Sequence, residues 1–455
     1  MFSLLLTLSL PGEESLTVNM EQSAREAHSL LMELCDDHGG RLTGSDGNAA
    51  AMLRLADEMK RRGLDVERHR FEMPGWRRGD DSVEVTAPFQ RRLRAAAIGY
   101  TQPADTGEAE IVRWETVDDV RQGEPAPGRI GLVAASVALP ISELVENAQR
   151  RRLAGLLLID RENGGQLLAR TGNHQGVPLS LPVCSITQEE GFRLLRLSKR
   201  GVSLRARMIV RSHCARVETA NLVVRLKGSL PERIVVGAHF DSWDLGQGAM
   251  DNGIGIAQLF AVACALRERP LRRTVELIWF NGEEQGLWGS RHEAGRLGDA
   301  SVVAMINLDM VGVPVAVNAL GDDSLVPFLE NWNQARGDRR LPLGVQNINW
   351  FGSDHTPFQL AGVRAITFNA PLPGEHSRYY HDFADTIDKV PAKLIEDSSR
   401  VIADLVQALA ADTTLTAGRR PAAETEKIFV RYGLVGRVEA AGLALPSTPH
   451  SLSTP

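Results

Sequence analysis

The sequence predicts an α/β protein: a mostly parallel mixed sheet flanked by helices, with a smaller α/β domain inserted into it. Three observations carry this prediction. Unbroken apolar runs alternate with helical segments from about Ile234 onward. A separate stretch before them has strands and helices of its own. The apolar runs end in residues of metal-ligand type, whereas the separate stretch contains no cluster of such residues.

From Asn19 to Val66 the pattern is helical. Apolar residues recur at helical spacing over Glu21–Cys35 and again over Asn48–Arg62, where Gly63 stops the run. The glycine-rich turn Gly39–Ser45 between them lacks the lysine and preceding strand of a phosphate loop, so it reads as a helix–helix connection.

Residues 98–216 form the separate stretch. Short apolar strands are expected at Gly128–Ala134, Ala154–Asp160 and Leu181–Ile186, and helices at Ile141–Arg152 and Glu189–Lys199. Val202, Leu204, Ala206, Met208 and Val210 then alternate as a half-buried strand does. Residues 19–97 and 217–412 constitute the surrounding discontinuous domain.

In that domain the run Ile234–Ala238 is apolar throughout, as expected of a parallel strand covered on both faces. Thr274–Phe280, Ser301–Leu308 and Arg364–Asn369 repeat the pattern, and Gly253–Arg267 and Asp323–Arg336 are helical segments among them. Beyond Asp412 no pattern is evident, and the Pro/Ser/Thr-rich end, Pro446–Pro455, is expected to be disordered.

Composition narrows the function classes. The 455 residues carry a net charge of −6, and no concentrated basic face suggests nucleic acid binding. The clusters Arg91–Arg92–Leu93–Arg94 and Arg150–Arg151–Arg152 read as solvated faces. Four scattered cysteines exclude a cysteine-built metal site; a Cys184–Cys214 bridge is left open, and Cys264 reads as a small hydrophobe in a buried helix. The apolar Met1–Leu10 resembles a clipped signal peptide without a basic flank or a clear cleavage site, so residues 1–18 are read as a leader and export remains an expectation. No integral membrane segment is found.

In open α/β sheets, sites lie outside the carboxyl ends of the strands. Here the first apolar run ends in His239-Phe240-Asp241, the second in Gly282-Glu283-Glu284 and the third in Asn307-Leu308-Asp309. His381 follows the fourth, and Asp251 lies between the first run and its helix. Taken singly, an acidic residue at a strand end is most often a helix cap or a surface charge. Five ligand types at successive strand ends are not explained that way. Two imidazoles and three carboxylates suit two Zn2+ ions per chain, with Asp251 bridging.

The motifs His-x-Asp-Ser, Gly-Ala-Met-Asp-Asn-Gly, Gly-Glu-Glu-Gln-Gly-Leu-x-Gly-Ser, Asn-Leu-Asp-Met and His-x-x-x-Asp-Thr resemble the di-zinc aminopeptidase and glutamate carboxypeptidase family. The stretch Ser242–Gly248 most resembles its carboxypeptidase Q branch, and residues 98–216 resemble a protease-associated domain. The resemblance implies a zinc-exopeptidase fold of the phosphorylase/hydrolase-like kind. It makes His239 and Asp309 ligands of one zinc and Glu284 and His381 ligands of the other, with Asp251 between them. Glu283 matches the general base, and Asp241 the carboxylate that fixes the tautomer and orientation of His239. Asn252 stands where the family often has Asp, at a position that is not a ligand. His355 matches a pocket-lining segment and is expected on the substrate side, with a plain helix-start role as the alternative. Tyr379 and Tyr380 precede His381; reaching the substrate oxyanion, assigned first to Tyr380, and packing are both open to them. His376 reads as loop.

The expected reaction is hydrolysis of peptide bonds, with Glu283 taking the proton of an activated water and returning it to the leaving amine. The leading reading is an aminopeptidase or dipeptidase acting on peptide substrates, in a homodimer if the carboxypeptidase Q resemblance extends that far. A glutaminyl-cyclase-like acyltransferase with a single zinc and a non-catalytic receptor-like homologue are the alternatives. Metal stoichiometry separates the first of these, and the full ligand set argues against the second.

Overall fold

A computed structural model describes residues 11–298 and 301–447. The expected leader thus lies outside the described residues over 1–10, while its remainder opens the first helix, Pro11–His38. The tail expected to be disordered lies outside them from Thr448 on.

One sheet has eight strands. Its centre is a parallel block in the order Arg273–Phe280, Leu230–His239, Val302–Asn307, Ala365–Asn369. These are the four apolar runs of the sequence. His239 pairs with Phe280, and Gly237 with Asn307, so the strands end nearly level and deliver their next residues to one edge. Outside Arg273–Phe280 lie His213–Leu226 and then Val66–Arg77, both antiparallel. On the other side Ala316–Asn318 runs antiparallel to Ala365–Asn369 and carries Val345–Gln346.

The sheet is covered on both faces, which is why its central strands are apolar at every position rather than at alternate ones. On one face the helix Ile254–Leu266 packs against the strands, with Pro11–His38 and Ala392–Ala411 around it. Of its 13 residues all but Cys264 are buried, so it has no solvent face to carry polar residues. Burying a Leu, Ile or Phe side chain contributes roughly 1.5–3 kcal/mol, so this helix anchors the larger core. On the other face Phe280, Phe358 and Met305 form a smaller core beside Trp288–Arg296 and His355–Leu360. Among the described residues, the span Ala249–Leu266 alone is long and apolar enough to cross a membrane, and 94% of it is buried inside the protein.

The second sheet has nine strands, with Ala109–Trp114, Ile130–Val133, Gly155–Ile159 and Val183–Ile186 parallel at its centre. It also takes Ser82–Ala87, Arg91–Arg92 and Ala95–Ala97. The expected boundary at residue 98 is therefore too late: the chain enters this sheet at Ser82. The strand before it, Val66–Arg77, belongs to the first sheet and pairs with His213–Leu226 over its whole length. Leu42, Trp76 and Trp243 come from outside 82–210 yet pack into the second sheet's core, so the two cores meet.

Two local expectations are corrected, and the cysteine pairing left open is answered. Residues beyond Asp412 form the helices Ala422–Arg431 and Val435–Ala440 around Phe429, Leu434 and Val438. All four cysteines are free, so there is no Cys184–Cys214 bridge; Cys214 Sγ faces Tyr100 O instead. Arg151 is not solvated: it is buried over the Trp114 ring and donates to Asp119 O.

Candidate active site

The loop after Leu230–His239 is pinned by a residue distant in sequence. Arg41, fully buried, donates from Nε to Phe240 O at 3.2 Å, from Nη1 to Gln247 O at 2.7 Å and from Nη2 to Gly248 O at 2.8 Å. Its own N–H donates to Ser242 Oγ at 3.0 Å. Gly248 has φ +61°, and a Cβ there would lie 2.2 Å from Ser242 Cβ, so only glycine lets the loop turn here. The chain then reaches Asp251 at the head of the buried helix.

Asp251 lies between two imidazoles. Its Oδ1 is 3.1 Å from His239 Nε2 and its Oδ2 is 3.0 Å from His381 Nε2. Asp309 Oδ1 is 3.5 Å from His239 Nε2, and Glu284 Oε2 is 3.1 Å from His381 Nε2. The five residues expected as ligands are thus brought together in two sets sharing Asp251, the pairing that the resemblance implies.

Hydrogen bonds fix the two rings. His239 Nδ1 donates to Asp241 O at 3.0 Å, and His381 Nδ1 donates to Ala169 O at 2.9 Å. A carbonyl can only accept, so each ring carries a proton on Nδ1 and turns Nε2 to the carboxylates. Here the reading of Asp241 is corrected. Its carboxylate is 3.9 Å from His239 Nδ1 and accepts instead from Glu283 N at 3.1 Å and Glu284 N at 3.3 Å. The ring is oriented by the Asp241 carbonyl, and the carboxylate positions the Glu283–Glu284 backbone.

Further bonds brace the carboxylates. Ser353 Oγ donates to Asp309 Oδ2 at 2.6 Å and accepts from Asn307 Nδ2 at 2.8 Å. Asn252 Nδ2 donates to Leu308 O at 2.7 Å, and its Oδ1 accepts from Met310 N at 3.1 Å, tying the Asp251 loop to the Asp309 loop. Asp385 accepts from Met250 N at 2.7 Å and Asp251 N at 3.0 Å. His381 itself has φ +57°, a left-handed conformation that costs a non-glycine residue about 1–2 kcal/mol.

The electrostatics are incomplete without cations. None of Asp251, Glu283, Glu284, Asp309 and Asp354 forms an ion pair with a lysine or arginine among the described residues. Glu284 Oε1 and both Asp354 oxygens are buried without a partner. Burial, reinforced by Glu284, Asp309 and Asp354, pushes the Glu283 carboxyl well above its usual range; burial also raises Glu284 to about 7. Ligand atoms of His239, Asp251 and Glu284 lie within 4.8 Å of one another. Imidazolium–carboxylate pairing would still leave net buried negative charge. Imidazole nitrogens and carboxylate oxygens at these spacings, around a centre of unbalanced negative charge, are the donor set that a divalent cation such as zinc takes.

Two pocket residues fall out differently. His355 is fully buried: its Nε2 faces Trp350 O at 2.9 Å, its ring stands against Trp350, and burial pushes it down to about 4. It stands in the wall at the start of the helix His355–Leu360. Tyr380 is 43% exposed with its ring stacked on His381 at 3.5 Å between centroids, which leaves it at the rim. Tyr379 is half-buried against the larger core, and His376 lies in the short 3-10 turn His376–Tyr379.

Arg41, Ser353, Asp385 and Ala169 are the functional positions not singled out from sequence. Asp385 lies inside the quoted His-x-x-x-Asp-Thr motif and Ser353 two residues before His355, and that proximity was the available signal. Arg41 sits in a turn with no chemical signature. Ala169 acts through its backbone, which no residue type reveals.

Comparison with known proteins agrees with this geometry. Residues 221–406 match the model of peptidase family M28. Aminopeptidase YwaD of Bacillus subtilis is 26% identical over 407 residues, covering 83% of each chain. Bovine carboxypeptidase Q is 29% identical over 293 residues, which cover 59% of this chain and 61% of that one, less than two thirds of its length. The solved structure of a zinc aminopeptidase from Bacillus subtilis superposes with a TM-score of 0.70 at 22% identity, over 87% of this chain and 97% of the other, and shows the shared fold. The match begins at Asn221, in the strand His213–Leu226, and ends after Asp385, so it encloses His239, Asp251, the Glu283–Glu284 pair, Asp309 and His381. The chain thus carries a peptidase family M28 match over residues 221–406, around the whole candidate site, and is a hydrolase of the metallo-exopeptidase type.

Proposed function

We propose that the protein is a zinc-dependent exopeptidase with two ions, one held by His239 and Asp309, the other by Glu284 and His381, with Asp251 shared. The observation that carries this reading is the placing of the two Asp251 oxygens, each about one hydrogen-bond length from a different imidazole Nε2. When bound, zinc supplies Lewis acidity to the water and to the scissile carbonyl.

The chain's own groups do the rest. Glu283 is the one carboxylate of the Glu283–Glu284 pair without an imidazole partner, and it lies within the electrostatic reach of His239 and Asp309. Unpaired, it is left to take a proton from water and deliver it to the leaving amine. Asp241 keeps it in place through the backbone. The names of the relatives, an aminopeptidase and a carboxypeptidase, support an exopeptidase without fixing the end removed.

A panel of dipeptides and of peptides blocked at the N- or the C-terminus, assayed with and without added zinc, tests the reading. Zinc-dependent release of one terminal residue, abolished by a block at that end, is expected. Cleavage indifferent to both blocks, or activity untouched by chelation, would contradict it.

A further inference from the structure

The two ligand histidines are oriented by different parts of the protein. His239 is held within its own loop, by the Asp241 carbonyl two residues on. His381 is held from the second sheet, by Ala169, 212 residues away. The contact is reciprocal: His381 Nδ1 donates to Ala169 O at 2.9 Å, and Ala169 N donates to His381 O at 2.9 Å. Its neighbours extend it. Leu167 N donates to Asp382 Oδ2 at 2.7 Å, and Gln166 Nε2 donates to Arg378 O at 3.0 Å. Trp243, whose side chain packs in the second sheet's core, stands edge-on to the His381 ring at 5.9 Å.

Segment 166–170 is irregular backbone, so something must hold its shape. Asp160 does. It is fully buried just past the strand Gly155–Ile159, its Oδ2 accepts from Leu168 N at 2.8 Å, and its Oδ1 pairs with Arg170 Nη2. Leu168 and Arg170 flank Ala169, so both bonds of Asp160 bear on the carbonyl that orients His381. His381 in turn needs that support, because its φ of +57° is not one a histidine adopts freely. In the reading above Asp160 touches neither metal nor substrate.

We propose that the second sheet is part of the metal centre, with Asp160 as the positioning residue: by fixing segment 167–170 it lets Ala169 orient His381, and so sets how tightly the His381–Glu284 side holds its ion. The proposal rests on the two-ion reading. Its consequence is asymmetry. Loosening the second sheet weakens one ion and leaves the other, because the His239 ring is oriented within its own loop. Groups that orient a ligand histidine are commonly worth 10–100-fold in metal affinity.

Titration of the metal-free full chain with Co2+, followed by visible absorption and by competition with a chelator, tests this without recourse to turnover. The wild type is expected to bind in two steps. In Asp160→Ala one step should weaken by about 10–100-fold while the other keeps its affinity. Arg170→Ala should act in the same direction, with partial recovery in Arg170→Lys, and it carries the test if Asp160→Ala does not fold. Two unchanged steps in a folded variant, or two steps weakened equally, would overturn the proposal. A wild-type chain that binds a single ion would instead overturn the two-ion reading and the proposal with it.

Discussion

Asp251 faces His239 with one oxygen and His381 with the other, at 3.1 and 3.0 Å from the two Nε2 atoms. No other carboxylate is shared in this way between the two histidines among the described residues. The site is therefore built around a single side chain, and its backbone is held by Asp385 and its neighbour Asn252 by the Asp309 loop.

Asp251→Ala removes the shared ligand and leaves two half-sites. Elemental analysis of the purified variant should show loss of both ions, and turnover should fall with them. Retention of two equivalents would show that Asp251 does not bridge.

Arg41→Ala withdraws three donors from the Phe240, Gln247 and Gly248 carbonyls. Hydrogen bonds from a charged group contribute about 1.5–3 kcal/mol each, and stranding buried acceptors costs more than the bonds alone, so several kcal/mol of stability should be lost. The melting temperature should fall, and added zinc should recover part of it by binding the folded loop. An unchanged melting temperature would mean that the loop is held by something else.

A pH dependence of stability should come from a buried pair at the far face of the sheet. His69 Nδ1 lies 2.9 Å from both Glu293 oxygens, and Glu293 also accepts from Asn221. The Glu293 hydrogen bond raises His69 against its burial. Burial alone would raise Glu293, but the bonds from His69 and Asn221 outweigh it and lower the carboxyl. The raised histidine contributes stability that is complete below its unfolded pKa of about 6.5 and is lost as pH rises through its higher folded value. The lowered carboxylate contributes above about 4.3 and loses its share as pH falls through its folded value. Wild type and His69→Gln should thus differ most in melting temperature between about pH 5 and 6.5, and the gap should narrow as pH rises. A gap that widens toward alkaline pH would reverse the assignment.

What was legible in the sequence follows from which signals depend on residue type. The parallel block and the side chains that meet at its ends were readable because strands buried on both faces are apolar without interruption, and few residue types are able to hold a metal. Boundaries were less so. Ser82–Ala87, Arg91–Arg92 and Ala95–Ala97 are too short to show a period, which delayed the second sheet to residue 98. Val66–Arg77 carries Pro74 and Gly75 inside a long strand, where both usually signal its end. The exchange of roles within Asp241, carbonyl to the histidine and carboxylate to the glutamates, needs coordinates. So does the closure of the site by Ala169, since the acceptor is a backbone oxygen that every residue possesses.

In the proposed mechanism Glu283 moves the proton while the other carboxylates and the histidines hold the metal. The most direct test is Glu283→Ala, measured for zinc content and for turnover on a substrate that the wild type cleaves. Two equivalents of zinc with turnover reduced by at least about 10²–10⁴-fold is the predicted result. Turnover near that of the wild type, or loss of zinc along with it, would contradict the account.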